Sequence, residues 1–93
     1  MSGTNLTLDA KLDLRAADPL KENILANRGQ DLTLDAKQVT QLGALCLQVI
    51  RSAAKTWAQD GKTLTFSNAS LECAEQLNLL GFNSETISKW EAA

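Results

Sequence analysis

Ninety-three residues, 44% hydrophobic and 22% charged, suffice for one small core and not for two, so a single globular domain over residues 1–93 is expected. A net charge of −2 with scattered basic residues leaves no electrostatic footprint for nucleic acid. With no apolar run long enough to span a bilayer or resemble a signal peptide, a cytoplasmic protein without membrane insertion is expected.

Histidine is absent, which removes the commonest general base and the commonest metal ligand. Cys46 and Cys73 alone cannot build a structural zinc site, and without a secretory signal they read as free thiols serving as small buried hydrophobes. No metal and no cofactor is expected.

Met1 to Asn5 is polar and reads as loose. From Leu6 the pattern alternates, with Leu6, Leu8, Leu12 and Leu14 separated by polar residues; two short antiparallel strands joined at Asp9-Ala10-Lys11 are predicted. Asp18-Pro19 reads as a helix start, with Asp18 as cap and Leu20, Ile24 and Leu25 as a narrow apolar face; Gly29 supplies the left-handed stop.

Leu32 to Asp35 is the next strand. Its segment LTLDAK repeats Leu6 to Lys11 letter for letter, but the identity stops after six residues and is read as coincidence between two strand-and-turn segments. After the polar elbow AKQVTQ, a helix from about Leu42 to Ala58 carries the strongest periodicity. Leu42, Cys46, Val49, Ile50, Ala53 and Trp57 fall on one face, Gln41, Ala44, Gln48, Arg51, Ser52 and Lys55 opposite, and Leu45 and Leu47 on the flanks. Asp60-Gly61-Lys62 turns the chain into a strand, Leu64 to Asn68. A helix from near Ser70 to Leu80 follows, with Cys73, Ala74, Leu77 and Leu80 inward and Gly81 as its stop. Ser84 then caps a short last helix with Ile87 and Trp90 at i, i+3. The order ββαβαβα gives a small mixed β-sheet covered by helices, α/β in class.

This order, with LTLDAKQVTQLGALCLQVIRSAAKTW at its centre and GKTLTFSNASLECAEQLNLLGF after it, resembles a STAS domain over about residues 6–82, leaving 83–93 as a helical extension. STAS modules include bacterial anti-sigma-factor antagonists and modules of anion transporters and lipid transport systems. The phrasing is most similar to small free-standing STAS proteins associated with bacterial chemotaxis. In the antagonists a strand ending in Asp leads through a loop Val to Asp-Ser-Ser/Thr-Gly-Leu, where one hydroxyl is phosphorylated by a partner kinase. The resemblance puts the strand's end at Asp35, the loop Val at Val39, and those five positions on Gly43, Ala44, Leu45, Cys46 and Leu47. The phosphate acceptor therefore falls on Leu45, which cannot accept phosphate.

A hydroxyl there would be a switchable charge at a helix start; a leucine is a constant apolar contact. Leu45 is then either an interface anchor or a flank of the core, and Gly43 either admits a partner's backbone or, the favoured reading, permits a tight helix entrance. The candidate partner-binding residues are Gln41, Gly43, Ala44, Leu45, Gln48 and Arg51, with Asn68 and Ser70 in the next strand-to-helix loop as second choice. Thr40 and Ser70 are the hydroxyls to which a phosphosite could be displaced, and both serve equally well in turns or caps.

Three functions follow. The first is a regulatory adaptor that docks on a signalling protein such as a chemotaxis histidine kinase. The second is an accessory subunit of a lipid ABC-transport system, or an anti-sigma-factor antagonist-like regulator. An enzyme ranks last, because no nucleophile–base pair, phosphate loop or carboxylate cluster is present.

Overall fold

The computed structural model describes residues 3–90. In chain order the elements are β1 (Thr4–Thr7), β2 (Lys11–Leu12), a 3-10 turn (Leu14–Ala16), α1 (Ala17–Leu25), β3 (Leu32–Asp35), β4 (Gln41–Leu42), α2 (Ala44–Gln59), β5 (Leu64–Ser67) and α3 (Leu71–Leu79). The α/β class and STAS-like layout expected from the sequence are present. Met1 and Ser2 of the segment read as loose lie outside the described residues, as do residues 91–93 of the extension. Thr4 and Asn5 are ordered in β1.

The first strands differ from expectation. β1 and β2 form no hairpin; β1 joins a sheet of order β1-β3-β5, β2 a two-stranded sheet with β4, and every pairing among the described residues is parallel. Alternation sets which side chains face inward but not which strand is the neighbour, and here Leu6 finds Leu34 rather than a local partner. That register also places the two LTLDAK copies out of step by two residues, so the repeat has no structural counterpart. The hinge between β1 and β2 is held from afar. The Ala10 carbonyl accepts the N–H groups of Thr40 and Gln41 at 2.8 and 3.1 Å, which commits residues 9–11 to a parallel crossing rather than a tight turn.

Leu14 is not in a strand but 76% exposed in the 3-10 turn. Asp13, not Asp18, is the capping residue, its Oδ1 accepting from the N–H groups of Arg15 and Ala16. Asp18 lies in the first turn of α1, which starts two residues earlier than expected. Leu20 and Ile24 are buried, whereas Leu25 stays 42% exposed. Gly29 has the expected positive φ of 95°.

The core lies between the Leu32, Leu34, Leu64 and Phe66 face of the sheet and the buried faces of α1 and α2. Helix α2 begins at Ala44, because Leu42 belongs to β4; Cys46, Leu47, Ile50, Ala53, Ala54 and Trp57 are its buried residues. Val49 is only half-buried. In α3, capped by Ser70, Cys73 and Leu77 are buried while Ala74 and Leu80 are half-buried. Among the described residues the short last helix does not form: residues 84–88 form turns, Asn83 rather than Ser84 accepts the Glu85 and Thr86 N–H groups, and Ile87 plugs the core. No described helix is long and apolar enough to cross a membrane.

Trp57 is 1% exposed and its Nε1–H donates to the Gln30 carbonyl at 2.8 Å, tying the end of α2 to the loop before β3. Trp57→Phe should cost about 1 kcal/mol for that bond, and Trp57→Ala about 3–5 kcal/mol for the lost packing, both read by urea denaturation. Burial raises the Cys73 thiol pKa, and burial with the nearby Asp13 carboxylate raises that of Cys46. Both therefore stay protonated at neutral pH, and a thiol reagent should label the native protein slowly and the urea-unfolded chain at once.

Candidate functional site: the start of helix α2

The elbow from Ala36 to Gly43 connects β3 to α2. Its apolar side chains, Ala36 and Val39, are fully buried, so its main-chain groups must find partners inside the protein. They do so on every side. Asp35 accepts the Lys37 N–H at 3.0 Å and lies 3.8 Å from the Lys37 ammonium. Ala36 donates to the Ser67 carbonyl at 2.8 Å, and Thr40 Oγ1 donates to the Ala10 carbonyl at 3.2 Å.

Gln76 of α3 completes the set. Its Oε1 accepts from the Leu42 N–H and its Nε2 donates to the Thr40 carbonyl, so one side-chain amide takes the place of a further strand beside β4. Ser70 Oγ donates to the Val39 carbonyl and accepts the Cys73 N–H at 3.0 Å, capping α3 and pinning the elbow together. These bonds occupy both hydroxyls considered as displaced phosphosites: Thr40 on Ala10, Ser70 on Val39.

Gly43 is the N-cap of α2, without a side-chain cap, and donates to the Leu12 carbonyl at 2.9 Å. A Cβ at this position would lie 3.3 Å from that oxygen, so the glycine serves close approach to β2, a tight helix entrance. The residues after it divide cleanly. Cys46 and Leu47 turn inward, with Cys46 Sγ donating to the Asp13 carbonyl at 3.3 Å, whereas Ala44, Leu45 and Gln48 face outward, Leu45 at 42% exposure.

Gln41, Ala44, Leu45 and Gln48 are all exposed, and Asn68, exposed with a φ of 57°, follows Ser67, whose carbonyl accepts from Ala36 of the elbow. Two of the eight expected residues have other work. Ser70 is committed to the elbow. Arg51 points to the C-terminal segment, where its Nη1 donates to the carbonyls of Thr86, Ile87 and Lys89 at 2.8, 3.0 and 2.6 Å and its guanidinium lies over the rings of Phe82 and Trp90 at 4.9 and 5.3 Å. Polarity on the outward face made Arg51 resemble a contact residue; its reach across to residues 82–90 could not be read from spacing.

Leu14 and Leu71 are exposed leucines outside the expected set. Leu14 follows Asp13, whose carbonyl accepts from Cys46, and Leu71, 73% exposed, follows Ser70, which binds the elbow. Asp13 directly before the 3-10 turn would have signalled a cap and an outward Leu14. Leu45 also lines, with Lys21, Leu25, Gln48, Val49 and Ser52, a shallow groove between α1 and α2.

A family profile described as Mlab, STAS domain matches residues 2–88. No curated protein matches the chain. Among solved structures, a sulfate transporter family protein from Wolinella succinogenes matches with a TM-score of 0.73 at 18% identity, over 86% of this chain and 67% of that one. That likeness speaks for the fold. With the profile spanning nearly its whole length, the chain belongs to the STAS domain family.

Proposed function

We propose that this STAS domain is a non-catalytic interaction module that docks a signalling protein, a chemotaxis histidine kinase or a related component, through the start of α2 without phosphorylation there. The observation that carries the reading is Leu45. It stands outward on a rigid helix start, at the position where the family resemblance puts the phosphorylated hydroxyl. The elbow's bonds to Ala10, Ser67, Ser70 and Gln76 hold that surface fixed, so a partner meets it preorganised. Gln41, Ala44 and Gln48 flank the leucine with uncharged contacts, Gly43 sets its height, and Asn68 with Leu71 extends the surface.

A second reading, an accessory module of a transport assembly, is favoured by the likeness to a sulfate transporter family protein. It would use the same surface, and the neighbouring genes distinguish the two. An anti-sigma-factor antagonist-like role lacks the hydroxyl that such a switch requires.

Leu45→Asp tests the surface. The side chain is outward, so the variant should melt close to wild type, within about 0.5 kcal/mol, while losing partner affinity by about tenfold or more in pull-down and titration. Binding that survives the carboxylate would end the assignment of Leu45. Arg51→Ala is the contrast: it should raise hydrogen exchange across residues 83–90 and leave partner affinity within about twofold. A loss of affinity equal to that of Leu45→Asp would return Arg51 to the docking surface.

A further inference from the structure

The two edges of the three-stranded sheet are treated differently. In β1, the N–H groups of Thr4 and Leu8 donate to the Asp31 and Asp35 carbonyls at 3.0 and 2.9 Å, and the register runs Thr4 to Leu32 and Leu6 to Leu34. Main-chain groups alternate sides along a strand, so Thr4, Leu6 and Leu8 turn theirs toward β3, and Asn5 and Thr7 turn theirs outward. Among the described residues nothing receives them. At the other edge the outward groups of β5 are those of Leu64 and Phe66, and there the cleft is walled by Ser84, Glu85, Ser88, Lys89 and Trp90 of the C-terminal segment.

Exposed edges are normally blunted by a charge, a proline or a bulge. From Gly3 to Leu8 the β1 edge has none of these. It is also self-complementary. Placed antiparallel to itself about a two-fold axis through Leu6, Asn5 faces Thr7 of the second copy and Thr7 faces its Asn5, each pair exchanging two main-chain hydrogen bonds. Leu6 then opposes Leu6 of the second copy at the closer, non-hydrogen-bonded spacing. Leu6 is half-buried and packs on the core, beside a small hollow lined by Leu8, Leu12, Leu20 and Asn23, so the pairing continues the apolar layer from one copy into the next. The polar pairs fall on the opposite, open face.

We infer that β1 is a homodimerisation edge: two copies pair β1 to β1 antiparallel, forming one continuous six-stranded sheet. Pairing β1 with β5 of another copy would instead propagate without closing, and β5 is shielded against it. A short ladder buries less surface than a standard stable interface, so the dimer is weak, with a Kd between about 10 µM and about 1 mM. The two α2 starts point in opposite directions along the joined sheet, so a dimer presents its docking surfaces at opposite ends.

Sedimentation velocity on the full chain from about 10 µM to about 1 mM tests this. The wild type should shift from monomer to dimer. Asn5→Pro and Thr7→Pro each delete an outward N–H without touching the bonds to β3, so they should keep the wild-type circular dichroism and weaken association by about tenfold or more. Leu6→Cys supplies a second readout that does not depend on proline being tolerated: its thiol faces itself across the axis, and mild oxidation should give a covalent dimer while buried Cys46 and Cys73 stay reduced. A wild type that remains monomeric throughout, a dimer unaffected by folded Thr7→Pro, or a Leu6→Cys chain that oxidises to no dimer each overturns the proposal.

Discussion

The constraint on which this fold depends is the satisfaction of the elbow between β3 and α2. Ala36 and Val39 must be buried to close the end of the core, and burying them takes the surrounding peptide groups away from water. An unpaired buried peptide group costs about 1–3 kcal/mol, so the elbow holds its path only because three separate parts of the chain reach it. Ala10 comes from the β1–β2 hinge, Ser67 from the end of β5, and Ser70 and Gln76 from α3. The parallel crossing of β1 and β2 follows from the same requirement. A local hairpin at Asp9-Ala10-Lys11 would turn the Ala10 carbonyl into its own loop and leave Thr40 and Gln41 without an acceptor.

What the elbow delivers is a helix start with a fixed azimuth. Gly43 lies against the Leu12 carbonyl, and that approach sets the rotation of α2 about its axis. With the rotation set, residues two apart are separated by about 200°, so Leu47 goes into the core and Leu45 to the surface. The surface leucine is an apolar side chain with nothing of its own protein to cover it fully, and covering the remainder by a partner yields roughly 1 kcal/mol. That is a modest and constant attraction. A phosphorylated hydroxyl at the same place would change its sign with its charge state; a leucine cannot.

Much of this was legible in the sequence wherever side-chain periodicity decides the outcome. β3, α2, β5 and α3 were found because their inward residues recur at the period of the element, and Gly81, directly after the Leu80 C-cap of α3, has the positive φ expected of a stop, whereas α1 ends at Leu25 on a right-handed Ala26 cap and Gly29 lies beyond it. Partner choice was not legible. Leu6 and Leu8 alternate identically whether β1 pairs with β2 or with β3, and a two-residue strand such as Gln41–Leu42 carries no period at all. At the start of α2, the outward placement of Leu45 and Gln48 was legible from the helix pattern. Gln76 escaped because its work is done through a side-chain amide on another helix, and the contacts of Arg51 were illegible because its acceptors are carbonyls, which leave no trace in side-chain identity.

Arg51 also explains why the chain after α3 is not a helix. In an α-helix the carbonyls of residues 86, 87 and 89 would diverge around the axis and each take an N–H four residues on. Here all three converge on one guanidinium nitrogen, with Phe82 and Trp90 around the same cation, and Ile87 is turned into the core between them. A guanidinium cation gives charge-assisted bonds about twice the strength of neutral ones, enough to outweigh the weak local preference of Ser84 to Trp90 for a helical turn. The conformation of the C-terminal segment is therefore dictated from α2, about thirty-five residues earlier, and the same helix that presents Leu45 at one end fixes the cover over the β5 edge midway along its length.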